Sequence, residues 1–150
     1  MRILDNEQLM KFYEIHETVH SIYMVVEYLS GGELIKNISK RVQYNELYLK
    51  KIMLNIVKAL KYLHSKGIMH RDLKPENLMI KSKKQRLNVK IIDFGLSTKI
   101  NVKEYLFRRC GTPGFVAPEI ITLKKDEFYN EKCDIFSAGV IFYILYSPFI

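Results

Sequence analysis

Asp72, Lys74 and Asn77 stand within one octet, HRDLKPEN (70–77), and Asp93 opens a tripeptide, DFG (93–95). These residue types match what moving a phosphate group to a hydroxyl requires. Such a transfer needs a carboxylate to orient the incoming hydroxyl and take its proton, a cation near the transferred group, and oxygen donors for a divalent metal. Asp72 can supply the first, Lys74 the second, and Asn77 with Asp93 the third. Their oxygens are hard ligands, suited to Mg²⁺ rather than zinc. Pro75 holds the octet open, and Asp93 follows the strand-like VKII (89–92) on a turn that glycine permits.

A second group of candidate ligands is HETVH (16–20), which matches the zinc-peptidase pattern H-E-x-x-H. That pattern works on a helix, where one turn brings both imidazoles to one metal. Its flanks here read as strands, and four residues of extended chain would separate the imidazoles by about 13 Å. Two histidines at a hairpin turn is the better reading.

The elements that must position the octet follow from local pattern. KFYEIHE (11–17) and SIYMVVEY (21–28) are rich in β-branched and aromatic residues and predict two strands joined by a short turn. LSGGEL (29–34) breaks them with a glycine pair. Ile52, Met53, Ile56, Val57, Leu60, Leu63 and His64 recur at helical spacing, predicting a helix over 45–66 with Asn45 as N-cap and Gly67 as its stop. ENLMI (76–80) and NVKIID (88–93) predict a strand pair around the basic tip KSKK (81–84). Residues 93–119 show no sustained period and read as a long functional loop. A last helix starts near Cys133. A few strands followed by helices favour an α+β class.

Bulk properties bound the partners. The chain has 150 residues, 48% hydrophobic and 27% charged, enough for a real core. Its formal charge is +8, but the lysines are spread, and the single tight run fits a solvated hairpin tip better than a nucleic-acid site. Two cysteines make no disulfide framework and fit a reducing compartment. The NIS tripeptide (37–39) is incidental without a secretory signal, and MRILDNEQ carries none. The apolar run AGVIFYILYSPFI (138–150) is too short for a membrane span and reads as a buried helix. An intracellular protein, cytoplasmic or nuclear, with neither nucleic acid nor membrane as partner, is the expectation.

The order H-R-D-L-x-x-x-N, D-F-G and A-P-E (117–119) resembles that of eukaryotic protein kinases. Lys74 within DLKPEN is similar to the Ser/Thr type. KYLHSKGIMHRDLKPENLMI, IKSKKQ, IIDFGLSTK and CGTPGFVAPE carry a finer likeness to the calcium/calmodulin-dependent group and its calcium-dependent relatives. The resemblance implies a bilobal fold present in part: residues 1–26 as remnant strands of the N-lobe, 27–32 as hinge, and 33–150 as an incomplete, mainly helical C-lobe up to its central helix. It implies ATP and Mg²⁺ as cofactors, and a protein substrate with a Ser or Thr acceptor that tends to carry an upstream basic residue.

By the same resemblance Asp72 is the catalytic base, Lys74 meets the γ-phosphate, and Asn77 and Asp93 hold Mg²⁺. Thr112 ties the substrate loop to the catalytic loop. Val26 takes the gatekeeper position, Glu27 and Leu29 offer backbone hydrogen bonds to adenine, Glu33 approaches the ribose, and Met79 forms the apolar floor. Gly114, Phe115 and Val116 shape the place of the residue after the acceptor, while Glu33 and Glu76 would greet the upstream basic residue. Asp134 resembles the anchoring Asp of the central helix.

Several features depart from the family pattern. The Gly-rich loop, the nucleotide lysine and its Glu partner fall outside these residues, as does the Arg that pairs with Glu119, so the chain is expected to be truncated at both ends. A regulatory partner or the missing segments would complete it, and a non-catalytic kinase-like module is the alternative. Phe136 stands where the family more often has Trp, and YSPFI (146–150) is shortened. The apolar face of 135–146 should be exposed. Arg71 beside Asp72 usually implies a phosphorylated loop residue. Here Arg108 occupies the usual phospho-threonine position and no Ser or Thr lies between Lys99 and Gly111, so loop phosphorylation there is not expected to be the switch. Neither an EF-hand loop nor a calmodulin-target helix is present in the sequence.

Overall fold

The computed structural model describes residues 4–38, 46–102 and 104–147. The expected N-cap Asn45, Ser39 of the NIS tripeptide and the end of YSPFI lie outside them.

The two expected strands form an antiparallel hairpin, β1 (Phe12–Glu17) and β2 (Ile22–Val26), with Ile15 opposite Met24 and a tight turn closed by Thr18 N–H donating to Ser21 O at 2.8 Å. Large side chains on both faces, among them Tyr13, Ile15, Tyr23 and Met24, are exposed. His16 lies within β1 and its Nε2 is 3.0 Å from Glu14 Oε2, so HETVH lacks the helix that a zinc site of that pattern needs. Among the described residues no group of three or more His, Cys, Asp or Glu could hold a metal.

A short strand β3 (Gly32–Glu33) leads into helix α1 (Leu34–Ile38), and the long helix α2 covers Glu46–Ser65. Gly67 follows at φ +69°, the left-handed conformation in which a helix ends most readily, and its N–H returns to His64 O at 2.9 Å. Ile52, Ile56, Leu60 and Leu63 form the buried stripe, joined by Leu49 and Ala59. Val57 departs from the expected stripe and is 49% exposed. Five residues beyond Ile52, it is rotated by about 140° on a helix of 3.6 residues per turn, off the buried face.

Strands β4 (Ile68–Met69), β5 (Leu78–Ser82) and β6 (Gln85–Ile91) follow, with a single 3₁₀ turn at Pro75–Asn77 before β5. The expected pair around the basic tip is therefore present. β5 is the centre of a three-stranded sheet in the order β3–β5–β6, and Leu9 bridges Ile91 in parallel. Helix α2 packs against β6 and against helix α4 (Lys132–Tyr146). The main core lies between them, with Leu9, Leu34, Leu60, Leu73, Leu78 and Ile141 almost wholly buried.

The expected long loop holds two short elements: β7 (Thr98–Lys99), paired with β4, and α3 (Pro118–Ile121). It closes over a second, smaller core of Met69, Tyr105, Ala117, Ile120, Leu123, Tyr129 and Cys133. Helix α4 buries one stripe only. Cys133, Asp134, Ser137, Ala138, Ile141 and Leu145 face inward, whereas Ile135, Phe136, Phe142, Tyr143 and Tyr146 are exposed. This bears out the exposed face and corrects the reading of the run as a buried helix. Among the described residues no helix is long and apolar enough to cross a membrane.

Candidate active site

The octet is fixed from behind by one buried carboxylate. Asp134, 0% exposed in the first turn of α4, accepts His70 N–H at 2.9 Å through Oδ2 and Arg71 N–H at 2.8 Å through Oδ1. His64, from the end of α2, brings Nε2 within 2.9 Å of Oδ2. Buried backbone amides need acceptors, and here a single side chain serves two successive ones. Arg71 is thereby held at φ +69°, a costly backbone conformation for a non-glycine residue. His70 in turn sets its Nε2 3.1 Å from Ile92 O and its ring edgewise against Phe94, joining the octet to the DFG strand end.

On the open side of that loop, Asp72, Lys74 and Thr112 form a closed ring. Thr112 Oγ1 donates to Asp72 Oδ1 at 2.7 Å, Lys74 Nζ donates to Thr112 Oγ1 at 2.8 Å, and Lys74 Nζ lies 2.9 Å from Asp72 Oδ2. Asn77 Nδ2 donates to Asp72 O at 2.8 Å, which directs the amide nitrogen inward and leaves Oδ1 as its free donor atom. Ile92 N–H donates to Asn77 O at 2.9 Å, so Asp93 emerges near Asn77, two residues past the end of β6. Asp93 is exposed at φ +58°, with Oδ1 taking the Gly95 N–H at 3.0 Å and Oδ2 remaining. Glu76 is exposed on the 3₁₀ turn between these groups.

The residues expected to meet adenosine lie on β2, β3 and β5 and on the segment between β2 and β3. Glu33 in β3 pairs directly with Met79 in β5, so these two candidates share one sheet position. Gly31 approaches Ile80 so closely that an added Cβ would collide with its carbonyl oxygen. Glu33 Oε1 accepts from Lys36 Nζ at 2.5 Å. Val26 is half-buried at the end of β2, and Leu29 is buried. The Glu27 amide donates to Lys11 O at 2.8 Å, so its carbonyl is the backbone group left for a ligand. The Glu27 carboxylate lies 2.8 Å from Lys90 Nζ, which also donates to Leu9 O at 3.0 Å. Burial opposes ionisation of Glu27, but the Lys90 ammonium and the Lys11 N–H outweigh it and hold its pKa below the usual 4.5.

The substrate-side candidates follow Thr112. Phe115 N–H returns to Thr112 O at 3.0 Å and Ser137 Oγ donates to Phe115 O at 2.8 Å, tying the segment to α4. Gly114 is exposed at φ +88°, and Val116 is half-buried beneath Gly111. Upstream, the Arg71 guanidinium is held through three of its five N–H groups: Nε donates to Leu96 O at 2.6 Å, Nη1 to Phe107 O at 2.7 Å and to Tyr129 Oη at 2.9 Å, and the Tyr105 ring lies 5.3 Å away. These neutral acceptors fix the guanidinium without cancelling its charge.

A protein kinase domain model matches residues 1–149. The chain belongs to the protein kinase family. This kinase chain is 42% identical over 152 residues to calcium-dependent protein kinase 5 of Plasmodium berghei (strain Anka), a match covering 99% of the chain and 26% of that protein. It is 40% identical over 144 residues to a probable myosin light chain kinase of Dictyostelium discoideum, covering 96% of the chain and 45% of that protein. The kinase chain thus spans a quarter to under a half of the length of these curated relatives.

Three residues of the kinase chain that build the site escaped sequence reasoning. His64 was read as part of an apolar stripe and instead faces Asp134. Lys90, nearly buried between Val89 and Ile91, is the counter-ion of Glu27. Tyr129 caps Arg71 from 58 residues away. The first two carried a signal, a polar residue among positions patterned for burial; Tyr129 carried none.

Proposed function

We propose that the protein containing this chain transfers the γ-phosphate of ATP to Ser and Thr hydroxyls of protein substrates. The observation that carries the reading is the Asp72–Lys74–Thr112 ring, which presents a carboxylate and an ammonium side by side on one rigid loop. A substrate hydroxyl reaching the carboxylate would be oriented by Asp72 and would give its proton to it, while Thr112 keeps the segment that meets the substrate tied to the same carboxylate. Lys74, already neighbouring that carboxylate, would counter charge developing on the transferred group.

The donor set fits Mg²⁺ with nucleotide: Asn77 Oδ1 and Asp93 Oδ2 are hard oxygens, and two protein ligands suffice for an ion that keeps phosphate and water oxygens in its shell. When bound, the metal neutralises phosphate charge. Asn77 has a double duty, holding Asp72 through Nδ2 and offering Oδ1. Val26, Glu27, Leu29, Glu33 and Met79 are assigned to the adenosine, and Gly114, Phe115 and Val116 to the residue after the acceptor. For an upstream basic residue Glu76 is the better partner, since Glu33 is engaged by Lys36. The division into N-lobe strands (1–26), hinge (27–32) and C-lobe (33–150) is part of the same reading. A cytoplasmic or nuclear setting accords with the free thiols of Cys110 and Cys133.

The test is Asp72→Asn in the whole protein that contains this chain. Phosphate transfer to a Ser peptide should fall by about 10²–10⁴, with nucleotide affinity by calorimetry changed less than about threefold. Transfer at the wild-type rate would rule out Asp72 as base.

A further inference from the structure

The long loop of residues 93–119 borders a groove whose apolar end includes Gly114 and Val116, assigned above, and whose basic end has no role assigned. Two neighbouring hollows that share Arg109 make it up, one walled by Ile120 and Ile121 and the other lined by Arg108, Leu123, Lys124 and Lys125. The two guanidinium groups are fixed by neutral acceptors. Arg108 Nη2 donates to Lys124 O at 3.1 Å and to Glu127 O at 2.8 Å, while Arg109 donates through Nε to Leu123 O at 3.2 Å and through Nη2 to the same oxygen. Carbonyl partners hold a guanidinium in place without cancelling its charge. Lys124 is 83% exposed and only loosely paired, 4.0 Å from Glu127, whose carboxylate also accepts the Lys124 N–H at 2.9 Å. Lys125 is exposed and has no ion pair among the described residues. Against these cations the same turn offers only Asp126 and Glu127, both exposed.

We propose that this groove binds an acidic segment of the protein substrate, on the C-terminal side of the acceptor hydroxyl. The direction rests on the reading in Proposed function, which puts the residue after the acceptor at Gly114–Val116. The apolar end of the groove includes Gly114 and Val116, so a chain leaving that place runs past Ile120 and Ile121 toward the cations. Pre-positioned guanidinium groups favour carboxylate partners over neutral ones, because less side-chain freedom is lost on binding. A substrate basic upstream, toward Glu76, and acidic downstream would match both ends of the site.

The experiment uses the full chain and three fluorescein-labelled Ser peptides, identical upstream and carrying Asp-Asp-Glu, Ala-Ala-Ala or Lys-Lys-Lys downstream, with binding read by anisotropy. Two exposed ion pairs correspond to an advantage of about three- to tenfold for the acidic peptide at low salt. That advantage should shrink as salt rises toward 0.5 M, be largely lost in the Lys124→Gln/Lys125→Gln variant, and reverse in Lys124→Glu/Lys125→Glu. Equal binding of the acidic and neutral peptides, or an acidic preference untouched by charge reversal, would overturn the proposal. Phosphate incorporation is read separately. Transfer to all peptides without acidic preference removes the groove and leaves the kinase reading, whereas acidic preference without transfer to any peptide removes the kinase reading and leaves the groove.

Discussion

Replacing Asp134 by Asn should loosen the catalytic loop far more than the size of the change suggests. The carboxylate uses both oxygens: Oδ1 takes the Arg71 amide at 2.8 Å, and Oδ2 takes the His70 amide at 2.9 Å with His64 Nε2 also at 2.9 Å. An Asn side chain has one oxygen, so either orientation turns its NH₂ toward a buried backbone N–H. Losing a hydrogen bond to a charged acceptor costs about 1.5–3 kcal/mol, and the stranded amide about 1–3 kcal/mol where no water reaches it. These overlap, giving about 2–4 kcal/mol in all, a large share of the about 5–15 kcal/mol that holds a typical domain. With a urea m-value of about 2 kcal/mol/M, the midpoint of the full chain should fall by about 1–2 M. Hydrogen exchange should place the loss at the amides of His70 and Arg71. Phosphate transfer should drop while nucleotide affinity changes little, because Asp134 lies behind the loop. A midpoint shift worth under about 0.5 kcal/mol, with both amides as protected as in the wild type, would refute the reasoning.

Three further outcomes follow from the geometry. Gly31→Ala should cost about 1–3 kcal/mol by overpacking, since its Cβ meets the Ile80 carbonyl; a thermal melt unchanged from wild type would contradict the close approach. Glu27→Gln should destabilise the full chain by about 3–5 kcal/mol at pH 7 by leaving Lys90 without its counter-charge. Because the folded Glu27 pKa is lowered, this stability is present above the usual 4.5 and is lost as pH falls through the folded value, so the gap between variant and wild type should narrow in acid denaturation curves. Burial, despite the opposing Arg71 charge, raises the Tyr129 pKa above its usual 10.0, so the fold favours the neutral phenol and should lose stability as pH rises beyond about 10. Tyr129→Phe should flatten that alkaline decline while costing about 1.5–3 kcal/mol at neutral pH through the lost Arg71 contact; parallel alkaline curves would argue against it.

What the sequence determined alone was local. The hairpin at 12–26, the helix ending before Gly67, the strand pair around Lys83 and Lys84, and the loop character of 70–77 are written in period, turn residues and proline, because each depends on neighbours a few residues away. The order of HRDLKPEN, DFG and APE carried the family, since a short motif is legible without knowing what it packs against. The two-residue strand β7 went unread, because two residues show no period, and Val57 was misplaced by counting spacing without tracking rotation around the helix. Tertiary structure decided everything that joins distant residues: Asp134 to the amides of His70 and Arg71, Tyr129 to the Arg71 guanidinium, Glu27 to Lys90, and Arg108 to the carbonyls of Lys124 and Glu127. No local pattern encodes which buried carboxylate will meet which amide. That follows only when the chain closes around its core and every buried polar group must find a partner.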